Sequence, residues 1–200
     1  MTRLSDREFR AMNSGPRRFL QRWYEFPILR RMGVMFAGKD VLEIGCGSGY
    51  AAQLILLDAP RSYVGVDVMP EQLALARRRG LAAAEFRLED ATHLVSVPTA
   101  SIDQVVVFGI LHHIPDWRLA VAECRRVLRA GGEVYLEEPD GGALGWFDTL
   151  FQWGHPRGAR FRLKALYAEL EASGFEQLKR LWAFGFGFYR GRVAQAGPPS

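Results

Sequence analysis

The chain has 200 residues, of which 48% are hydrophobic and 24% charged, with a formal net charge of +4. This composition excludes fibrous and disordered classes and suits one soluble domain with a sizeable core. The two cysteines, Cys46 and Cys124, show no disulfide or zinc spacing, the start MTRLSDREFR has no apolar signal core, and no run is long enough to span a membrane, so a cytoplasmic protein is expected.

Residues 3–37 read as two or three helices without a strand, with Phe19, Leu20, Trp23, Ile28 and Met32 as candidate apolar contacts. Between residues 39 and 139 short apolar runs alternate with helical periodicity, the pattern of a parallel sheet covered by helices. The predicted strands are VLEIG (41–45), SYVGVDV (62–68), AEFRLED (84–90), DQVVVFG (103–109) and GEVYLEE (132–138), rich in β-branched residues and suited to burial on both faces. Helices are predicted over 50–58, from Pro70 to Gly80, and after Asp116. In the last of these Trp117, Ala120, Val121, Cys124, Val127 and Leu128 share one face, with Asp116 as N-cap and Gly131 as stop.

Beyond residue 139 comes an irregular stretch, then a helix through Leu163, Leu166, Tyr167 and Leu170 that Gly174 ends. EQLKRLWA and FGFYRGRV follow so closely on one another that they must pair antiparallel. The expected architecture is therefore α/β, a three-layer Rossmann-like α/β/α sandwich with a mostly parallel seven-stranded sheet and an antiparallel edge pair. Residues 1–37 are expected to form a helical lid or substrate segment, 38–193 the main domain, and 194–200 a flexible tail.

The loop VLEIGCGSGY places Gly45, Gly47 and Gly49 where a buried strand turns into a helix, so that backbone can approach a ligand closely. Its spacing, G-x-G-x-G, is not the G-x-G-x-x-G of dinucleotide binders, which weakens a nicotinamide-dependent oxidoreductase reading. Asp67 closes the next strand, where a carboxylate can accept hydrogen bonds from both hydroxyls of a ribose. Glycine also serves plain turns, and a lone strand-end aspartate is often only solvated. The two together imply a nucleoside.

With these features the sequence resembles the class I S-adenosylmethionine-dependent methyltransferases, in particular their type 11-like group acting on small molecules, over residues 38–139. The resemblance implies that Glu43, Gly45, Cys46, Gly47 and Gly49 wrap the methionine portion of the cofactor, that Asp67 holds its ribose, and that Val68 and Met69 pack on its adenine. EDATHL resembles the family's third-strand motif, in which Asp90 and Ala91 would contact the adenine. VVVFGILHHIPDW resembles the segment after the fourth strand, where the carbonyl near Phe108 would face the methionine ammonium. LRAGGEVYLEE resembles the family's turn into the fifth strand, with Ala130 where proline is usual, a departure that touches no chemistry.

Methyl transfer requires mainly in-line alignment of an acceptor, with removal of a proton where the acceptor carries one. His112 and His113, at the carboxyl edge of the sheet, are the candidate bases; either is equally readable as a packing residue. Glu137, Glu138 and His155 are weaker rivals, the two glutamates being expected to be solvated or to cap a helix. Trp23, Tyr24, His113 and Trp153 are candidate substrate contacts. Trp23, Tyr24 and Trp153 belong to two aromatic-rich stretches that also include Phe26, Trp146, Phe147 and Phe151, most of which are expected to serve ordinary packing. Arg17, Arg18, Arg22, Arg30 and Arg31 are either an acid-attracting surface or a solvated face.

The expected acceptor is an O, N or C atom of a small molecule. Nucleobase amino groups are disfavoured because FGIL stands where such enzymes carry N/D-P-P-Y, and the dispersed arginines and absent module signatures disfavour a nucleic-acid partner. No metal-ligand cluster is visible, and monomer and homodimer are both left open. The alternative from another class is a non-catalytic S-adenosylmethionine or S-adenosylhomocysteine binder acting as a sensor or assembly protein.

Overall fold

The structure is a computed structural model that describes residues 4–140 and 161–195. Trp146, Phe147, Phe151, Trp153 and His155 therefore lie outside the described residues. Among those described, seven strands form one sheet: β1 Asp40–Ile44, β2 Ser62–Asp67, β3 Ala84–Leu88, β4 Ile102–Phe108, β5 Leu128–Pro139, β6 Phe175–Ala183 and β7 Phe186–Val193. Their order is β3-β2-β1-β4-β5-β7-β6. The first five pair parallel, whereas β7 runs antiparallel to both β5 and β6.

The near-continuous apolar runs of the central strands are explained by burial on both faces. Leu42 and Ile44, Val105 and Val107, and Val134 and Leu136 point into one core. Their alternates Val41, Val106, Phe108 and Tyr135 point into the other. Helices α6 Trp117–Val127 and α7 Leu163–Ala172 cover the first face through Ala120, Val121, Cys124, Leu166 and Leu170. The second face carries α4 Tyr50–Ile55, α5 Pro70–Arg77 and α3 Phe26–Arg31, the last of which follows α1 Asp6–Met12 and α2 Gly15–Leu20 in the chain.

Two local expectations need correction. A π-helical turn, Gln21–Glu25, joins α2 to α3 just ahead of Pro27, which has no N–H to continue the ladder. The extra residue rotates the buried stripe onto Phe26, Leu29 and Met32, while Phe19 and Trp23, 66% and 63% exposed, turn outward. A uniform 3.6-residue period could not show this. The second concerns Leu128 and Gly131. The α6 helix ends at Val127, and Leu128 is already extended and pairs with Ile102 of β4. Arg129 is held there by Asp103 and Asp40 at 2.7 and 2.8 Å, so Gly131 takes its left-handed φ of 75° inside an irregular strand and does not stop a helix. Nor does the Asp116 side chain bond the first turn of α6.

Candidate active site

The carboxyl ends of β1, β2 and β4 open into a cleft that is continuous with solvent. It is lined by the loop after β1, by Asp67, Val68 and Met69 after β2, and by Phe108, Gly109, Ile110 and His113 after β4. Parallel strands leave their carboxyl ends free of chain at the point where the order reverses, here between β1 and β4, and that crevice is where open α/β sheets bind ligands.

The three loop glycines serve different purposes. A Cβ on Gly45 would lie 2.5 Å from the Ile110 side chain, and one on Gly49 would lie 3.0 Å from the Ala76 Cβ. These two are required by the protein's own packing. A Cβ on Gly47 would meet nothing within 4 Å, although its φ of 51° is left-handed. This residue presents bare backbone to the cleft, where only a ligand would be displaced by a side chain.

Asp67 is the second fixed point. One carboxylate oxygen accepts from the Gly47 N–H and the other from the Met69 N–H, each at 2.9 Å. The side chain thus clamps the glycine loop to its own turn, and each oxygen retains a lone pair for a ligand hydroxyl. Burial pushes this carboxyl up, opposed by backbone donors from Met69, Gly47 and Val68. Cys46, buried at the cleft wall, has its thiol pushed up by burial and by the negative charge of Glu43 and Asp67, so it is not a ready nucleophile.

Glu43 lines the floor of the cleft and accepts a hydrogen bond from the Tyr63 hydroxyl. Burial pushes its carboxyl up to about 8; the Tyr63 bond opposes this, Asp67 adds to it and Arg17 opposes it. Arg17 reaches the cleft from α2 and ion-pairs with the buried Glu25. Of the five N-terminal arginines considered as an acid-attracting face, Arg17 and Arg18 line the cleft.

A buried acid with a raised pKa has a signed consequence for stability. Folding takes up a proton between the unfolded value, near 4.5, and the folded value of about 8 for Glu43 and likewise for Glu138. The stability these groups contribute is complete below about pH 4.5 and is lost as pH rises through about 8. Thermal midpoints of the ligand-free chain are therefore expected to fall from pH 5 to pH 8, and Glu43→Gln is expected to flatten the slope. A midpoint that rises over this interval would contradict the assignment.

His113 lines the cleft, whereas His112 points away and places Nδ1 2.8 Å from Glu138 Oε2. The two rings lie against each other with centroids 4.1 Å apart. Glu137 and Glu138, expected to be solvated or to cap a helix, are instead 1% and 0% exposed, because both sit at the tip of a central strand flanked on each side.

Asp90 and Ala91 stand outside the cleft lining, and Asp90 accepts from the backbone and hydroxyl of Thr92 at 2.8 and 2.7 Å. Tyr24 also lies outside it. Its hydroxyl donates to the Ala183 carbonyl at 2.6 Å and its ring meets Phe184, Phe186 and Phe188, tying the N-terminal helices to the β6–β7 hairpin. Trp23 is turned to solvent. Met12, Asn13 and Gln21 do line the cleft; Asn13 and Gln21 escaped the sequence analysis because polar residues on amphipathic helices look like a solvated face, and Met12 because nothing in its spacing sets it apart from a packing residue. Among the described residues no three acidic, histidine or cysteine side chains converge as metal ligands, and no helix is long and apolar enough to cross a membrane.

Comparison with known proteins agrees with this geometry. Residues 42–136 match the family model described as Methyltransferase domain. A protein from Mycolicibacterium smegmatis named as a probable S-adenosylmethionine-dependent methyltransferase is 38% identical over 113 residues, covering 56% of this chain and 43% of that protein. A ubiquinone biosynthesis O-methyltransferase from Xanthomonas oryzae pv. oryzae is 32% identical over 104 residues, covering 50% of this chain and 43% of that one. Both alignments thus span less than half of the relative's length. In fold, the crystal structure of a SAM dependent methyltransferase from Aquifex aeolicus superposes with a TM-score of 0.76 at 14% identity, covering 96% of this chain and 100% of that one.

Fold and cleft together define a Rossmann-like domain with an open cleft at the switch point of its sheet. More particularly, residues 42–136 are similar to the Methyltransferase domain family, and S-adenosylmethionine is the cofactor that this similarity and the fold imply. The cleft fits it: Gly47 leaves room that a Cβ would fill, Asp67 keeps acceptor capacity for a diol, and Glu43 adds to the lining a carboxyl able to meet a cationic group.

Proposed function

We propose that the chain transfers a methyl group from S-adenosylmethionine to a small-molecule acceptor by in-line displacement. The observation that carries this reading is the bare backbone of Gly47 facing the cleft beside the Asp67 clamp. When bound, the cofactor supplies an electrophilic methyl on a positively charged sulfur. In this reading Glu43 faces its amino-acid end, Asp67 holds its ribose, and Val68 and Met69 bound the adenine, with Asp90 and Ala91 near it. Phe108 and Gly109 contribute backbone at the opposite wall.

The contribution of the protein is positioning, exclusion of water and acceptance of a proton. His113 is the proposed proton acceptor because it lines the cleft, whereas the Nδ1 of His112 is committed to Glu138. The name of the Xanthomonas relative, an O-methyltransferase, favours an oxygen acceptor over nitrogen or carbon. Trp23 and Tyr24 are not retained as substrate contacts in this reading.

The test uses cofactor labelled on the methyl group, incubated with the chain and a protein-free small-molecule extract. Label is expected to appear in the small-molecule fraction, and His113→Asn is expected to lower that rate by about 10²-fold or more with cofactor affinity little changed, the usual share of a general base. Label that never leaves the cofactor while the cofactor is bound would favour a non-catalytic sensor or assembly protein. Unchanged turnover in the variant would remove His113 from the mechanism.

A further inference from the structure

Glu138 lies at the end of β5 with no solvent exposure, and both of its oxygens are committed to one neighbouring turn. Its Oε1 accepts from the backbone N–H groups of Ile110 and Leu111 at 2.9 and 2.7 Å. Its Oε2 stands 2.8 Å from His112 Nδ1, and the His112 ring lies against that of His113. The turn so held, Ile110–His113, contributes Ile110 and His113 to the cleft, and the preceding Gly109 N–H is fixed to the Glu137 carbonyl at 2.7 Å. The strand beneath is rigid, paired with β4 on one side and β7 on the other. A buried carboxyl is costly to desolvate, and here the three partners that offset the cost all belong to one turn.

We propose that Glu138 is a positioning residue for the cleft, anchoring the Ile110–His113 turn and, through His112, holding the His113 ring at the cleft wall. The glutamate touches no ligand itself. Its effect is transmitted by two backbone donors and one imidazole, which makes the conservative variant informative. In Glu138→Gln the amide oxygen can accept from both backbone N–H groups while the amide nitrogen donates to His112 Nδ1. Glu138→Ala leaves all three groups without their partner.

The relevance of this geometry to methyl transfer rests on the function proposed above, so the test has one arm that needs no cofactor. Histidine-selective nitrogen NMR reports the environment of the His113 ring, and calorimetry with S-adenosylhomocysteine reports the cleft. Glu138→Ala is expected to shift the His113 ring signals and to weaken binding by about tenfold or more, the scale of one or two buried hydrogen bonds, while Glu138→Gln restores both. Should Glu138→Ala fail to fold, Glu138→Asp, one methylene too short to reach the turn, takes its place. Equal behaviour of the shortened and glutamine variants, or unshifted ring signals in the shortened one, would overturn the proposal. A wild-type chain that binds no S-adenosylhomocysteine would overturn the proposed function instead, with the ring signals still deciding the role of Glu138.

Discussion

Gly47→Val is expected to abolish cofactor binding, by roughly a hundredfold or more, in a chain that remains folded. The two halves of this prediction have separate physical grounds. A Cβ at this position meets no protein atom within 4 Å beyond its chain neighbours, so the side chain starts into open space in the ligand-free state. Its cost is confined to holding a non-glycine residue at φ 51°, about 1–3 kcal/mol against a stability of roughly 5–15 kcal/mol. The bound state must accommodate a branched side chain between backbone and ligand. Overpacking alone costs about 1–3 kcal/mol, and displacing the ligand from the N–H groups of the loop adds to it. Calorimetry alongside circular dichroism separates the effects: native spectra with lost binding are expected, and retained affinity would refute the loop's role. Gly45→Val is the contrasting variant, because its Cβ strikes Ile110 at 2.5 Å and stability should fall before binding is examined.

Asp67→Ala is expected to weaken binding by at least about tenfold, since hydrogen bonds to a charged acceptor are worth roughly 1.5–3 kcal/mol. The structure adds a second consequence. Removing the carboxylate also strands the Gly47 and Met69 N–H groups, so the glycine loop loses its tether and thermal stability should drop too. A cycle isolates the ribose contact from this loosening: wild type and variant are each titrated with S-adenosylhomocysteine and with its 2′,3′-dideoxy analogue. The wild type should discriminate against the analogue and the variant should not. Equal discrimination by both proteins would mean that Asp67 only braces the loop.

Much of the fold was legible because the central strands combine β-branched runs with glycine and proline punctuation. Val105, Val106 and Val107 must be buried whichever face each takes, which specifies a central parallel strand without knowledge of its partners. The β6–β7 hairpin was legible from loop length alone. What was not legible depended on contacts distant in sequence. The π turn before Pro27 and the early exit from α6 at Leu128 each break a local period, the latter because Arg129 finds Asp40 and Asp103 from other strands.

The site divides along the same line. The glycine loop and Asp67 were visible because their chemistry is carried by local spacing. Glu138 was misread as a solvated acid, because only the sheet order, with β7 closing over the far side of β5, buries it. Met12, Asn13 and Gln21 were missed for a related reason: only the packing of the N-terminal segment against the strand ends brings them to the cleft.

The central claim is that the cleft is built for a sulfur nucleoside, and calorimetric titration of the wild-type chain with S-adenosylmethionine, S-adenosylhomocysteine and NADH tests it most directly. The account predicts saturable binding of both sulfur nucleosides and none of NADH, whose fingerprint glycine is replaced here by Tyr50. A folded chain that bound neither sulfur nucleoside, or that preferred NADH, would contradict it.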